Sequence, residues 1–287
     1  MTEPSPSPRL GPVDLRVTDV ERSAEFWQTI VGLTRLPGEG AILGLPGRPL
    51  IRLHPGATGP MPDMALGLFH IALQVPASAD LAQAAVRFAA SGLRHSGQDH
   101  LLSRSVYIAD PDGNKIEVTH LTPGRGTIRA VDGRVEGLTR DGVPHSIFEP
   151  LDLAELRAEV ASGERQAKMP DGTINGHIHF RTRDLAAAYD FYRLVGLMPN
   201  IFAPANHFGD LGRVDHPHLV ALNTWAGDRL IPAPPGAAGI IAYVLELPDP
   251  DRAASRLRRA GVSLTATASG FDCADRDGNL VRVIAAP

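Results

Sequence analysis

Any metal chemistry in this chain must use nitrogen and oxygen donors, because Cys273 is the only cysteine among 287 residues. That excludes thiolate cages and intrachain disulfides and fits a reducing compartment. Three polar residues stand out within alternating segments. Asp14 shares a face with Arg16 against Val13, Leu15 and Val17; His70 and Gln74 oppose Phe69, Ile71 and Leu73; Glu117 and Thr119 oppose Ile116 and Val118. Such alternation is the signature of a strand with one apolar and one polar face. An imidazole and two carboxylates are ligand types suited to a divalent ion. The plain alternatives are a satisfied half-buried histidine at His70, and an ion pair of Asp14 or Glu117 with an arginine such as Arg16.

The elements that carry these residues repeat along the chain. Val13-Asp14-Leu15-Arg16-Val17, Asp19-Val20, Phe26-Trp27 and Gly32-Leu33 are answered by Ile178-His179-Phe180-Arg181-Thr182, Asp184-Leu185, Phe191-Tyr192 and Gly196-Leu197. Asp110-Pro111-Asp112-Gly113-Asn114 recurs as Asp275-Arg276-Asp277-Gly278-Asn279. Each copy opens with a strand that runs into an Asp-capped amphipathic helix and ends in a tight turn before another strand. Leu68–Val75, Ser103–Ile108 and Lys115–His120 are predicted strands, and Ser78–Ser91 is a predicted helix.

The length suits two cores of roughly 100 to 150 residues each. The expected organisation is a frayed tail over 1–8, a first domain over 9–122, a connector with one helix over 123–172, and a second domain over 173–287. The connector helix spans Asp152–Val160, with Leu153, Leu156 and Val160 near helical spacing. Met1–Pro8 has no apolar core, so no signal or transit peptide is predicted, and no apolar run reaches membrane-span length. The formal net charge of −4 gives no electrostatic reason to expect nucleic acid or an anionic membrane as partner. A cytoplasmic protein acting on a small molecule is expected, with homo-oligomerisation left open.

In combination these motifs resemble the vicinal-oxygen-chelate superfamily (glyoxalase, bleomycin resistance, extradiol dioxygenase). The similarity extends to its two-domain catechol-2,3-dioxygenase-like branch through Phe-His-Ile-Ala-Leu (69–73), Tyr-Ile-x-Asp-Pro-Asp-Gly-Asn-Lys-Ile-Glu-Val (107–118), Glu-Pro-Leu-Asp-Leu (149–153) and Leu-Asn-Thr-Trp-Ala-Gly (222–227). The resemblance implies an α+β fold of tandem domains, each made of two βαβββ modules forming a cupped mixed sheet with helices outside. It also implies a divalent metal in the cup, held from the first, fifth and eighth strands. In the first domain those positions fall on Asp14, His70 and Glu117, with Fe²⁺ the leading ion and Mn²⁺ or Zn²⁺ the alternatives. Asp14 replaces the family's usual histidine, and the extra negative charge should lower the ion's Lewis acidity and redox potential.

In the second domain the same reading gives His179, Leu219 and Arg282, and a guanidinium repels a cation, so no metal is expected there. Tyr107, His179 and His218 are the candidate catalytic residues. Tyr107 could bond a substrate oxygen or simply pack in its sheet, and His179 has Arg181 and Arg282 as possible anion-binding neighbours. His218, with His207, His216 and the intervening Pro217, is either an acid–base group or one of several surface-loop histidines. The implied function is a metalloenzyme acting on a small oxygenated or aromatic substrate, foremost a ring-cleaving extradiol dioxygenase. The alternatives are a non-redox isomerase or lyase, and a metal-free binding or resistance protein.

Overall fold

The computed structural model describes residues 7–160 and 166–286; of the expected tail, residues 1–6 lie outside the described residues, and Arg9 already begins the first strand. The chain forms four βαβββ modules. The first contains β1 (Arg9–Arg16), α1 (Val20–Phe26), β2 (Thr34–Leu36), β3 (Ala41–Leu45) and β4 (Arg48–His54). The second contains β5 (Gly67–Gln74), α2 (Ser78–Ala90), β6 (Ser96–Asp99), β7 (Ser103–Ala109) and β8 (Lys115–Leu121). The connector folds a hairpin of β9 (Gly126–Val131) and β10 (Arg134–Thr139), the short β11 (Glu149–Pro150) and α3 (Leu153–Ala158). The third module has β12 (Ile174–Arg181), α4 (Leu185–Val195), β13 (Met198–Ala203), β14 (Phe208–Arg213) and β15 (His216–Asn223). The fourth has β16 (Gly239–Leu247), α5 (Pro250–Arg259), β17 (Thr265–Thr267), β18 (Gly270–Ala274) and β19 (Leu280–Ala285).

Local chemistry explains why the modules look alike. Asp19, Asp184 and Asp249 each turn a side-chain oxygen onto a backbone N–H in the first turn of the next helix, at 3.0, 3.0 and 2.9 Å. In both Asp-x-Asp-Gly-Asn turns the leading carboxylate accepts two backbone N–H groups, Asp110 from Asp112 and Asn114 and Asp275 from Asp277 and Asn279, all at 2.9 Å. The glycines take φ of 84° at Gly113 and 87° at Gly278, a region costly for residues with a Cβ. These turns do more than reverse the chain. Asp112 accepts from the Thr18 N–H at 2.8 Å and from its hydroxyl, and Asp277 accepts from the Thr182 hydroxyl and the Arg183 N–H. Each turn thus clips the start of the preceding module's helix.

The sheets join modules in an unexpected order. The eight-stranded sheet runs β17-β18-β19-β16-β1-β4-β3-β2 and the nine-stranded sheet β11-β6-β7-β8-β5-β12-β15-β14-β13. The first module therefore pairs with the fourth, through antiparallel β1 and β16, and the second with the third, through antiparallel β5 and β12. The expected boundaries at 9–122 and 173–287 cut across both sheets, because each half contributes one module to each. The physical reason is that strand pairing is set by contacts far apart in sequence, so the local pattern of an opening strand does not select its partner.

The convex faces carry the apolar side chains, Leu15 and Ile51 on one sheet and Ile71, Leu73, Val118 and Phe180 on the other, all fully buried. Helices cover them: α2 buries Leu81, Ala84, Ala85 and Phe88, and α4 buries Phe191, Tyr192 and Val195. Each large side chain so buried contributes about 1.5–3 kcal/mol. The polar positions of the same strands are thereby forced onto the concave faces. Among the described residues, no helix is long and apolar enough to cross a membrane.

Candidate metal centre

The register fixes which positions correspond among modules. First and last strands run parallel, pairing Asp14 with Arg52, Ala72 with Glu117, His179 with Ala221, and Val244 with Arg282. Two residues earlier on each first strand stand Pro12, His70, His177 and Ala242. The middle cup, made by modules two and three, thus presents His70, His177 and Glu117, with Ala221 in the fourth place. The end cup, made by modules one and four, presents Pro12, Ala242 and two arginines.

His70 on β5, His177 on β12 and Glu117 on β8 meet. His70 Nε2 lies 3.0 Å from Glu117 Oε2 and 3.0 Å from His177 Nε2, and His177 Nε2 lies 3.5 Å from the same carboxylate oxygen. All three are buried, and their ligand atoms lie within 4.8 Å of one another. Burial, reinforced by the neighbouring His218 and opposed by Glu117, pushes His177 down to about 3, so its imidazole is neutral with a free lone pair. Burial alone would raise Glu117, but the two imidazoles hold it well below the usual carboxylate range. The Ser105 hydroxyl donates to Glu117 Oε1 at 2.7 Å, which leaves Oε2 facing the histidines.

Two imidazole nitrogens facing each other can share at most one proton, whereas a cation satisfies both together with the carboxylate. Two imidazole nitrogens and one carboxylate on adjacent strands, with alanine in the fourth place, fit a divalent transition-metal ion with open positions. These residues therefore suit the metal that the superfamily resemblance implies.

His70 and Glu117 thus come together as the facing of their strands suggests, but Asp14 does not join them. It lies in the other sheet, where His54 Nε2 meets its Oδ1 at 2.8 Å and Arg52 and Arg282 approach its Oδ2 at 3.7 Å each. Its ion-pair alternative is realised with these arginines. Arg16 instead donates to the Ala237 carbonyl.

The third imidazole, His177, was not among the sequence candidates. A signal for it exists: His70-Ile71 and His177-Ile178 are the same dipeptide, each seven residues before its helix cap, at Ala77 and Asp184. Asp14 and His179 are each five residues before their caps, at Asp19 and Asp184. They correspond to each other but not to His70.

The other sequence candidates surround the trio. His179 faces the same cup, but its Nε2 is engaged by Asn223 Nδ2 at 2.9 Å, and its ring packs edge-on against Phe69, His70 and Trp225. His218 is a strand residue of β15 with its ring centroid 4.3 Å from that of His177, so the surface-loop reading does not hold for it. His216 is buried and His218 half-buried on the same strand, and of the three only His207 is an exposed loop histidine. Pro217 is tolerated because the β14–β15 ladder is irregular between the Leu211 and Arg213 pairs.

Burial would lower His218, but Asp210, whose Oδ2 lies 2.5 Å from its Nδ1, raises it. Tyr107 stands directly across from Glu117 in the β7–β8 ladder, and its hydroxyl meets His100 Nε2 at 2.8 Å. Burial and the Glu117 charge push the phenol well above 10, so it stays protonated. His100 is anchored by Nδ1 to the Ile147 carbonyl at 2.5 Å, which brings the connector into the site. Phe148, also from the connector, packs edge-on to Trp225 at 5.7 Å, and Trp225 stacks with Phe208 at 5.9 Å. Leu219 is a core residue, and Arg282 belongs to the end cup.

A cupped sheet of paired βαβββ modules with a two-histidine, one-carboxylate cluster on its concave face defines the class of protein: a vicinal-oxygen-chelate fold. Residues 9–118 match the model of the Glyoxalase/Bleomycin resistance protein/Dioxygenase superfamily. Over 286 residues it is 29% identical to a catechol-2,3-dioxygenase of Bacillus subtilis (strain 168), covering 96% of each chain. Its fold is shared with glyoxalase I from Zea mays, at a TM-score of 0.59, 15% identity, and coverage of 97% of this chain and 92% of that one. It is also shared with the cppA protein of Streptococcus pneumoniae TIGR4, at 0.54, 10%, 97% and 99%.

Proposed function

We propose that this protein is a ring-cleaving, extradiol-type dioxygenase acting on a catechol-like substrate, with Fe²⁺ held by His70, Glu117 and His177. The observation that carries this reading is the buried meeting of two imidazoles and one carboxylate in a cup lined by aromatic rings. The whole-chain similarity to a catechol-2,3-dioxygenase supports it. When bound, the ion supplies adjacent open positions for two vicinal substrate oxygens and for O₂.

This chain's own residues then have distinct tasks. Phe208, Trp225 and Phe148 offer flat apolar surfaces that orient an aromatic ring and exclude water. His218, held at Nδ1 by Asp210, keeps Nε2 available to take a proton from a substrate hydroxyl and return it. Tyr107 keeps its proton and is steered by His100, so its hydroxyl serves as a fixed hydrogen-bonding group beside Glu117. Ser105 holds the carboxylate in orientation.

The test is elemental analysis of purified protein and of Glu117→Ala, with oxygen uptake measured on a panel of catechols. Iron near one per chain, lost in the variant, together with catechol-dependent uptake, is the expected result. A redox-inert ion without uptake would replace this reading with an isomerase or lyase. Protein that stays metal-free after reconstitution would leave only the binding-protein alternative.

A further inference from the structure

The end cup holds a group that the fold leaves unfinished. Asp14 is 5% exposed, yet its Oδ2 has no hydrogen-bond partner among the described residues. Arg52 and Arg282 reach it from the last strands of modules one and four, each at 3.7 Å, attractive by charge but too long to satisfy the oxygen. Leaving such an acceptor dry and unbonded costs about 1–3 kcal/mol.

The surroundings are open on one side only. The Asp14 side chain is 7% exposed at the bottom, while Arg52, Arg282 and His54 are 32, 36 and 45% exposed above it. The positions that carry His177 and His179 in the middle cup carry Ala242 and Val244 here, so this cup has shorter side chains where the other has imidazoles. Arg282 has a second partner in Asp272, at 3.2 Å, while among the described residues Arg52 has no ion pair closer than its 3.7 Å approach to Asp14.

We infer that the end cup is a second, non-catalytic site for a small carboxylate bearing a hydroxyl on the adjacent carbon. The hydroxyl donates to Asp14 Oδ2, and the carboxylate sits between the Arg52 and Arg282 guanidinium groups, where charge-assisted bonds are strongest. Neither half suffices: a bare anion would face the Asp14 charge, and a neutral alcohol would leave the guanidinium groups unanswered. On the ring-cleavage reading above, the natural occupant is the ring-opened product. A catechol cut beside its diol takes up both atoms of O₂ and keeps an enolic hydroxyl on the carbon next to its new carboxylate.

The probe is glycolate, with acetate as the same carboxylate lacking the hydroxyl, titrated calorimetrically into the full chain. Because a 2-hydroxy acid can also chelate a metal, the titration is repeated in Glu117→Ala, where the middle cup is disabled. Expected is one glycolate per chain in Glu117→Ala and the same binding event retained in the wild type, with acetate and the Arg52→Gln variant each weaker at that site by about tenfold or more. Arg282→Gln gives a second reading should Arg52→Gln fail to fold. No glycolate binding, equal binding of acetate, or binding abolished by Glu117→Ala but untouched by Arg52→Gln would each overturn the site. Glycolate binding without any dioxygenase activity would keep the site and remove only the ring-opened product as its occupant.

Discussion

The two cups are built by the same module and differ by a few side chains on the same face. In the middle cup the corresponding positions read His70, His177, Glu117 and Ala221; in the end cup they read Pro12, Ala242, Arg52 and Arg282. Replacing one carboxylate with two guanidinium groups reverses the sign of the charge that the cup can hold. Asp14 then serves as counter-ion to those guanidinium groups. Backbone geometry supplies the concavity in both, and chemistry is decided by which residues the register delivers to it.

The largest expected effect comes from breaking the middle cup. Glu117→Ala should abolish metal retention and lower oxygen uptake by about 10³-fold or more, the several kcal/mol a catalytic ion contributes to a barrier. Removing the hydroxyl that orients this carboxylate is milder: Ser105→Ala should weaken metal affinity by about 10- to 100-fold, read by competition with a chelator.

A smaller effect concerns His218. A histidine with a raised folded-state pKa stabilises the fold fully below its ordinary value near 6.5 and loses that contribution as pH climbs through the raised value. Thermal melts of wild type should therefore lose stability over that window, and Asp210→Asn should flatten the change.

The end cup should be silent in metal binding. Asp14→Ala should leave metal content unchanged while costing about 1–3 kcal/mol of stability in urea denaturation, since it removes the counter-ion of two arginines. A loss of metal in that variant would contradict the division of labour between the cups. Smallest of all, Arg282→Gln should change stability by no more than about 1 kcal/mol, because the arginine is partly exposed and its pairs are screened.

Much of this was legible before the structure. The Asp caps at Asp19 and Asp184, the twin Asp-Gly-Asn turns and the alternating strands announced the modules, because each rests on local chemistry that residue types determine. The inward facing of His70 and Glu117 followed from strand alternation. Which module pairs with which did not, because the pairing of β1 with β16 and of β5 with β12 is set by contacts far apart in sequence. Grouping Asp14 with His70 assumed that neighbours in the chain share a cup, and that assumption is what failed. His177 was within reach by counting back from helix caps instead of matching only the first and third modules. His218 was hidden by Pro217, which a ladder irregularity accommodates. The hairpin of β9 and β10 alternates only over short runs, with Ile128 and Val135 half-buried against the small cluster of Ile201, Ala203 and Phe208, a pattern too brief to stand out in the connector.

The central claim is that one cup holds a metal and the other cannot. Anomalous diffraction from crystals of iron-reconstituted protein, collected at the iron edge, tests it most directly. One peak among His70 Nε2, His177 Nε2 and a Glu117 oxygen, with none beside Asp14, is the predicted map. A peak at Asp14, or no peak among the three residues at full reconstitution, would contradict it.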